Sequence, residues 1–364
     1  MKILILCKRI DLMLKNRLTF MKEAGIDVDC LSLYDYRFVS GDETTFIEPE
    51  SPMEFLEKRQ RLRSLNRVWK RKKAVASLGE YDIVDLYKMG TNATFLLSEV
   101  KNLAPRYVVT LDERHLTKSS LGIVNFLMNR VYKDAYRLLF ETEIQKEIFT
   151  EAFGYEEKST VIYYGIALFR EIEKLTDEEL AGYAHAFDLA QTENIVYCDM
   201  SGSIKRQKSL LAALANFPKE ELKRTTFILP MLFNDFEARQ KIKAFLKGID
   251  LDYLLLDGLL TPLQRAALFR LSHQTIVLSV TPPNDTLACA LFAKSRVYLY
   301  HIHDLDPIYR KKEIFIDDFK NFSLSSEEIE TSTLLEDILK RNSEKTAEIF
   351  APKNAIKTYL EALS

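Results

Sequence analysis

The sequence predicts an α/β protein built from two doubly wound, Rossmann-like domains, each with a parallel sheet. Short apolar runs alternate with longer stretches of helical periodicity, and this alternation occurs separately in each half of the chain. Buried parallel strands read as such uninterrupted apolar runs. The length of 364 residues is sufficient for two domains with separate cores.

The strands of the predicted sheets are apolar runs that are too short to be helices. Those of the first half are Lys2–Cys7, Val28–Leu33, Ile83–Leu86, Tyr107–Thr110, Arg137–Phe140 and Thr160–Tyr163. Those of the second half are Ile195–Cys198, Thr226–Leu229, Tyr253–Leu256, Thr275–Leu278 and Val297–Tyr300.

The join between the domains falls where strand-like runs stop and a charged helix is expected, at Glu171–Leu180. We therefore assign residues 1–168 to the first domain and residues 169–346 to the second. Residues 347–364 contain a last helix with Pro352 in its first turn, which is a common helix start. We expect this helix to pack back on the first domain.

The composition is that of an ordinary globular protein, with 47% hydrophobic and 29% charged residues. A net charge of −2 gives no overall attraction to nucleic acid. The four cysteines are dispersed among apolar residues, which is typical of buried free thiols in a reducing compartment. The first apolar run is too brief for a signal peptide, and no run of about 18 apolar residues predicts a transmembrane helix. These features favour a cytoplasmic protein.

Ligands of doubly wound domains bind beyond the carboxyl ends of the strands, so the loops there are candidate sites. The first such loop of the second domain, Ser201–Lys208, contains a glycine and three cations and leads into a helix. Glycine lets the backbone approach closely, a helix N-terminus offers unpaired N–H groups, and cations neutralise charge, so this loop suits a phosphate. The alternative is a solvated, lysine-rich connection.

A second loop precedes Thr261-Pro262, which is a helix-start signature. The backbone groups of Gly258 and Leu259 in this loop are candidates for contacts with a nucleotide base. The alternative is an ordinary capped helix.

A third loop precedes a helix of small residues that begins near Thr286. Asn284 or Asp285 is expected to cap this helix, and the start of the helix suits sugar hydroxyls. Here too the alternative is a capped core helix without a ligand.

The three loops, in this order, resemble those of GT-B glycosyltransferases of the family 4-like group, also called glycosyltransferase group 1. Gly202 and Lys208 match the phosphate loop of that family, and the resemblance extends over nearly the whole chain. It implies that the first domain binds an acceptor and the second a nucleotide diphosphate-sugar. The implied donor-binding residues are Gly202, Ser203, Lys205, Arg206, Lys208, Gly258, Leu259, Asn284, Asp285 and Thr286.

The activity that the resemblance implies is transfer of a sugar from the nucleotide diphosphate-sugar to a glycan or glycolipid acceptor, with retention of the anomeric configuration. We expect no metal and no other cofactor. Lys205, Arg206 and Lys208, with a helix N-terminus, would take the place of a metal at the leaving diphosphate.

The loop after the strand Tyr107–Thr110 holds the candidate catalytic residues. The family often has a His-Asp pair at this loop, facing the transferred sugar, and Asp112 matches the aspartate of that pair. His115 and Glu113 are candidates to orient the acceptor hydroxyl or to assist proton transfer. The alternative is a polar loop without a catalytic role.

Three departures from the family pattern bear on activity. The family has two glutamates, separated by seven residues, at the third loop; the second would fall near Ala290, and only Asn284 or Asp285 lies near the first. Ser203 stands where the family has an arginine, and Lys8–Asp11 replaces a glycine-rich loop. Two functions therefore stay open: an active transferase, or a catalytically impaired partner or scaffold of an active glycosyltransferase.

One segment of the first domain, Lys58–Lys73, holds nine cations and no acidic residue. An apolar stripe at helical spacing runs along it, formed by Phe55, Leu62, Leu65 and Trp69. This pattern is typical of a helix on an anionic membrane surface, here the inner membrane face that would carry a lipid-linked acceptor. The expected membrane-facing residues are Arg63, Arg67, Trp69, Lys70, Arg71 and Lys72.

Two alternatives remain for this segment: a solvated helix that the stripe packs on the domain, or a nucleic-acid patch, and we expect no nucleic-acid partner. The apolar helix Leu121–Val131 either assists membrane contact or belongs to the core.

Overall fold

The structure, a computed structural model, describes residues 1–47, 63–111, 113–201, 203–231, 236–256, 258, 260–279, 285–302, 305–324 and 333–364. The chain divides into two compact units. Unit 1 consists of Met1–Gly165 together with Pro352–Ser364, and unit 2 consists of Ile166–Ala351.

Unit 1 contains an eight-stranded sheet. Its strands are β1 (Ile3–Cys7), β2 (Val28–Ser32), β3 (Arg37–Ser40), β4 (Glu43–Phe46), β5 (Ile83–Tyr87), β6 (Arg106–Thr110), β7 (Arg137–Phe140) and β8 (Ser159–Val161). Its first five helices are α1 (Leu12–Glu23), α2 (Arg63–Ala76), α3 (Asn92–Leu103), α4 (Gly122–Asp134) and α5 (Glu143–Phe153).

The strands of this sheet follow the order β4-β3-β2-β1-β5-β6-β7-β8. Right-handed crossovers between the parallel strands place α2, α3, α4 and α5 on one face and α1 on the other. Within the first of these layers, α2 packs against α3, and α3 packs against α4.

An antiparallel hairpin at one edge corrects the prediction of a wholly parallel sheet. Strand β3 pairs antiparallel with both β2 and β4. Because the hairpin lies at the sheet edge, its side chains are exposed or half-buried, and its sequence has no apolar run that marks a strand.

Unit 2 contains a six-stranded sheet in which all paired strands are parallel. Its strands are β9 (Asn194–Cys198), β10 (Thr225–Pro230), β11 (Tyr253–Leu256), β12 (Gln274–Val277), β13 (Arg296–Leu299) and β14 (Asp317–Asp318). Its helices are α6 (Leu168–Lys174), α7 (Asp177–Ala186), α8 (Ile204–Leu214), α9 (Lys219–Leu222), α10 (Phe236–Leu246), α11 (Pro262–Leu271), α12 (Thr286–Phe292), α13 (Pro307–Lys311) and α14 (Thr333–Phe350). The strand order is β11-β10-β9-β12-β13-β14.

The α/β class and the doubly wound sheets that the sequence predicted are confirmed. Every predicted strand is present, with ends that differ by at most two residues. The two-residue strand β14 was not predicted, because two acidic residues at a sheet edge carry no strand signal.

The single charged helix predicted at Glu171–Leu180 is wrong, because a helix start lies inside it. Helix α6 ends at Lys174 and α7 begins at Asp177. Between them, Thr176 forms a capping box: its hydroxyl accepts from the Glu179 N–H at 3.2 Å, and the Glu179 carboxylate accepts from the Thr176 N–H at 2.9 Å. This reciprocal pair satisfies two backbone donors that a continuous helix would not expose.

The last helix, α15 (Pro352–Leu363), belongs to unit 1 and packs against α1. The chain passes closely by Gly165 where this helix starts. A Cβ on Gly165 would lie 2.9 Å from Pro352 Cα and 3.0 Å from the ring of Phe20. Only a residue without a side chain fits there.

Candidate active site

Unit 2 has a topological switch point between β9 and β12, because β10 and β11 lie on one side of it and β13 and β14 on the other. Ligands of open α/β sheets bind at the carboxyl edge of such a point. The first and third predicted loops follow β9 and β12, so they flank it. The Asp199 N–H donates a hydrogen bond of 2.8 Å to Ile276 O at this position.

The turn after β9 is held by buried side chains. Asp199 is 5% exposed, and its carboxylate accepts hydrogen bonds from the Ser201 N–H at 2.9 Å and from the Ser201 hydroxyl at 2.6 Å. Gln207, buried in α8, donates from Nε2 to Met200 O at 2.6 Å. These hydrogen bonds connect the turn to the end of β9 and to the first turns of α8.

Three cations of the predicted phosphate loop lie in the first turns of α8. Ser203 is the N-cap, and its hydroxyl accepts from the Arg206 N–H at 3.4 Å. Lys205 and Arg206 are exposed, whereas Lys208 is half-buried with Nζ 5.5 Å from the ring centroid of Phe245 on α10. Two cations therefore stand in the solvent beside a helix N-terminus, which by itself favours an anion.

The second loop leads into α11 through a capping box. Thr261 Oγ1 accepts from the Gln264 N–H at 3.2 Å, and Gln264 Oε1 accepts from the Thr261 N–H at 2.8 Å, with Pro262 in the first turn. The helix start that the sequence predicted is thus present. Gly258 is exposed, and a Cβ built on it would have no atom within 4 Å.

The third loop departs from the predicted cap. Asp285 is the N-cap of α12, which begins at Thr286, but its side chain makes no capping hydrogen bond. The backbone of Asp285 is helical, at φ −79° and ψ −6°, whereas capping side chains act from an extended backbone. Asn284, the other predicted capping residue, lies outside the described residues. Ala290, near the position of the family's second glutamate, is fully buried, so its side chain faces the core.

Arg265, a half-buried cation of α11, was not predicted as a site residue. Burial raises the pKa of the Cys289 thiol well above its ordinary value, and the positive charge of Arg265 acts in the opposite direction. The same pair of effects acts on the pKa of Tyr197, at the end of β9. The charge of Arg265 therefore acts on residues of both strand β9 and helix α12. The one feature of the sequence that could have indicated Arg265 is its position one helical turn after the capping residue Thr261.

Unit 1 has its own switch point, between β1 and β5. Lys88 is the first residue after β5, and its Nζ lies 2.7 Å from Glu141 Oε1 and 3.9 Å from Asp11 Oδ2. Asp11 follows β1, and the Tyr87 hydroxyl lies 3.4 Å from both of its carboxylate oxygens. We call Asp11, Tyr87, Lys88 and Glu141 the switch-point cluster. It places an ammonium group and two carboxylates at the edge where doubly wound domains bind ligands.

Lys88 carries backbone strain at this position. Its φ of +52° lies in the left-handed region, which costs a residue with a side chain about 1–2 kcal/mol. Glu141 is only 4% exposed, so the ion pair is largely withdrawn from water. This cluster was not predicted from the sequence, because its members become neighbours only through the strand order.

A buried network lies next to the cluster. Asp85, fully buried in β5, accepts hydrogen bonds from the Thr110 hydroxyl at 2.8 Å and the Tyr359 hydroxyl at 2.7 Å. Arg17 of α1 approaches Asp85 Oδ2 to 4.0 Å and lies over the rings of Tyr87 and Tyr359. Burial raises the pKa of Asp85, against the opposing effects of Arg17 and the two hydroxyls. The network fixes α1, β5 and α15 to one another.

The predicted catalytic loop contributes one residue to this region. His115 ends a short 3₁₀ helix, Glu113–His115, and its imidazole packs on Gly90 in the loop after β5. A Cβ on Gly90, whose φ is +54°, would meet His115 Nε2. Glu113 is exposed on the same turn. The structure therefore brings His115, which follows β6, to the loop that carries Lys88.

Several predicted site residues lie outside the described part of the chain. They are Asp112, Gly202, Leu259 and Asn284. Among the described residues, no group of three or more His, Cys, Asp or Glu side chains could hold a metal ion.

The basic helix α2 uses two of its predicted membrane-facing cations to pack on unit 1. Arg71 donates from Nε to Leu33 O at 3.3 Å and from NH1 to Asn92 Oδ1 at 2.7 Å. Lys72 Nζ lies 3.2 Å from Glu99 Oε1 on α3. Arg71 and Lys72 are both half-buried and reach toward neighbouring elements of unit 1, and their predicted contact with a membrane surface stays a prediction.

Other residues of α2 face outward. Trp69 is 51% exposed and Arg67 is exposed, while Lys70 is half-buried. The buried side of the helix consists instead of Asn66, Ala74 and Val75. The exposure of Trp69 does not fit the alternative in which the apolar stripe packs α2 on the domain. Phe55, Leu62 and the side chains of Arg63 and Leu65 lie outside the described residues. Among the described helices, none is long and apolar enough to cross a membrane.

Comparison with known proteins identifies the fold. No protein-family model matches the chain, and no curated protein matches it. Among solved structures, HepE of Anabaena in complex with UDP has 14% sequence identity and a TM-score of 0.66, over 100% of this chain and 99% of that chain. A glycosyltransferase from Rickettsia africae has 13% identity and a TM-score of 0.64, over 99% and 97% of the two chains.

The chain has the GT-B fold. This confirms the fold that the resemblance implied, over the full length of the sequence. The UDP-GlcNAc 2-epimerase of Neisseria meningitidis bound to UDP-GlcNAc also matches, with 16% identity and a TM-score of 0.56, over 100% and 99% of the two chains. Because the GT-B fold carries more than one reaction, the function of this chain rests on its own residues.

Proposed function

We propose that this protein is a glycosyltransferase that moves a sugar from a nucleotide diphosphate-sugar to a glycan or glycolipid acceptor. The observation that carries the proposal is the turn after β9, which hydrogen bonds from Asp199 and Gln207 hold in place. The helix α8 begins directly after this turn and carries Lys205 and Arg206 in its first turn. The turn lies at the switch point of unit 2, where a diphosphate would meet amide hydrogens and two cations. HepE, which shares the fold, has been solved with UDP and with UDP-glucose.

In the proposed reaction, the bond between the anomeric carbon and the diphosphate oxygen breaks while a bond to the acceptor oxygen forms. Lys205, Arg206 and Lys208 stabilise the charge that develops on the departing diphosphate, so no metal is required. Arg265 and Thr286 contact the sugar or the diphosphate from the other side of the switch point. Retention of the anomeric configuration follows from the family resemblance.

We propose that the acceptor binds at the carboxyl edge of unit 1. There His115, with Asp112 and Glu113 of the same loop, orients the acceptor hydroxyl and takes part in proton transfer. Asp11 and Lys88 of the switch-point cluster offer a carboxylate and an ammonium group to further hydroxyls. We further propose a cytoplasmic location with α2 facing the anionic inner membrane surface, where a lipid-linked acceptor would be available.

One observation favours a second function, that of a catalytically impaired partner or scaffold of an active glycosyltransferase. Ala290 is buried near the position where the resembling family has a glutamate, so the chain offers no carboxylate from that place. Such a protein would bind the donor without transferring it.

The test is release of nucleoside diphosphate from a panel of UDP-, ADP- and GDP-sugars, with and without extracted membrane lipids and glycans. We expect release that depends on an added acceptor and is unchanged by EDTA. Donor binding without release would support the partner function, and neither binding nor release would overturn both. The anomeric proton coupling of the product, measured by NMR, reports whether configuration is retained.

A further inference from the structure

We propose that the amino-terminal end of α4, together with Phe95 of α3, inserts into the surface of an anionic lipid bilayer. Leu121, Ile123 and Phe126 are 62%, 70% and 66% exposed. Large apolar side chains that cluster in the solvent mark an interaction site. The same helix buries Met128, Val131 and Tyr132, so only its first turns are unpartnered.

The exposed apolar residues lie on three helices that pack against one another in sequence. Ile123 and Phe126 are three residues apart and therefore share one side of α4. Phe95, in the first turn of α3, is 48% exposed, and Trp69 of α2 is 51% exposed. Because α2 packs against α3 and α3 against α4, the helices present these side chains from a single layer. We call Trp69, Phe95, Leu121, Ile123 and Phe126 the apolar edge.

The positive charge of helices α2, α3 and α4 favours an anionic bilayer as the binding partner of the apolar edge. Helices α2, α3 and α4 together contain nine Lys and Arg residues and only two acidic residues, although the whole chain has a net charge of −2. Both acidic residues are paired: Glu99 with Lys72 at 3.2 Å, and Asp134 with Lys101 at 2.7 Å. Helix α5, in the same layer, carries three acidic residues and one lysine, so the positive charge is concentrated in α2, α3 and α4. Apolar side chains on these cationic helices match acyl chains beneath anionic headgroups.

The apolar edge lies on the side of unit 1 where we expect the acceptor to bind. Helix α3 follows the carboxyl end of β5, which precedes Lys88, and α4 follows the carboxyl end of β6 through the connection that contains His115. Insertion of the first turn of α4 would bring this edge to the headgroup layer, where a lipid-linked sugar or phosphate lies. This use rests on the proposed function, whereas the membrane contact itself does not.

The structure thereby changes the role expected for α2. Arg71 and Lys72 bind α2 to the neighbouring strand end and helix, so part of their charge is used within unit 1. Arg67 and Trp69 remain at the outer side of the layer. Helix α2 supplies the attraction to anionic lipid and contributes Trp69 to the apolar edge, and the start of α4 supplies most of the inserted side chains.

The test uses the full chain with vesicles of phosphatidylcholine alone or mixed equally with phosphatidylglycerol. Trp69 is the single tryptophan of the chain, so its fluorescence reports on the edge without a label. We expect co-sedimentation with the anionic vesicles only, a blue shift of the emission, and quenching by brominated acyl chains. The double variant Ile123→Ser/Phe126→Ser should lower the partition coefficient at least tenfold.

The matched control is Phe236→Ser, which removes a 72% exposed phenylalanine from unit 2 and should leave partitioning unchanged. Absence of binding to anionic vesicles would overturn the proposal, as would full binding by the double variant. A dimer in solution that the double variant converts to a monomer, without vesicle binding, would also overturn it. Binding of nucleoside diphosphates is measured separately. A protein that binds vesicles but no nucleotide would contradict the proposed function and leave the membrane contact supported.

Discussion

Lys88 Nζ lies 2.7 Å from Glu141 Oε1, which joins the loop after β5 to the loop after β7 at the carboxyl edge of unit 1. Glu141 is almost completely buried, whereas Lys88 keeps one side toward Asp11 and the solvent. A buried carboxylate that loses its partner is costly, because burial keeps water from replacing that partner. The pair therefore sets the geometry of the edge where we expect the acceptor.

Replacement of Lys88 by methionine should destabilise unit 1. We expect a loss of about 2 kcal/mol in the free energy of unfolding, since the pair is partly solvated and lies below the range for fully buried pairs. Adding Glu141→Gln to Lys88→Met should recover much of that loss, because no unpaired carboxylate then remains. Urea unfolding of the two single variants and the double variant measures the coupling. Additive losses would show that the two residues do not act as a pair.

Replacement of Tyr359 by phenylalanine should loosen the last helix. The hydroxyl donates to the buried Asp85 carboxyl group at 2.7 Å, and its removal leaves that acceptor with one fewer donor. We expect a loss of about 2 kcal/mol in the free energy of unfolding. Tyr34→Phe, at a ring that is 62% exposed, serves as the control and should change stability by less than about 0.5 kcal/mol. Equal effects of the two variants would rule out a role for the buried hydrogen bond.

Asp85 should make stability depend on pH. Burial raises the pKa of Asp85 above its ordinary value of 3.8. The folded state therefore holds this proton more tightly than the unfolded chain, so the contribution of Asp85 is fully present below pH 3.8 and is lost as the pH rises through the folded pKa. The free energy of unfolding of the wild type, minus that of Asp85→Asn, should increase as the pH falls from about 7 to about 4. A difference that does not change with pH would mean that the pKa is not raised.

Replacement of Gly165 by alanine should disturb the entry to α15. The added Cβ would come within 2.9 Å of Pro352 Cα, which is backbone and cannot turn aside. We expect a loss of about 1–3 kcal/mol, the usual cost of an overpacked site. Gly182→Ala is the matched control: it lies exposed within α7 with open space around it, and should raise stability by up to about 1 kcal/mol. Thermal unfolding of both variants decides the comparison.

The strands could be predicted from the sequence because buried parallel strands leave continuous apolar runs, as at Ile3–Cys7 and Asn194–Cys198. The hairpin β3–β4 could not, because an exposed edge leaves its residues polar. The break between α6 and α7 did have a signal, Thr176 followed three residues later by Glu179, which was read as part of one charged helix.

The candidate site was only partly predictable. Loops that follow strands are visible in the sequence, so Lys205, Arg206 and His115 were found. The pairing of Lys88 with Glu141 depends on strand order, which brings together residues that are distant along the chain. The exposure of Ile123 and Phe126 depends on where α4 meets its neighbours, and a run of apolar residues does not show which of them is buried.

The central claim is that a diphosphate binds at the start of α8, and calorimetric titration with UDP, ADP and GDP tests it most directly. We expect at least one of them to bind with a stoichiometry of one, and Lys205→Ala/Arg206→Ala to weaken that binding at least tenfold, about 1.4 kcal/mol. Lys219→Ala, an exposed lysine elsewhere in unit 2, should bind as the wild type does. Equal affinity of the wild type and the double variant, or no binding of any of the three to the wild type, would contradict the claim.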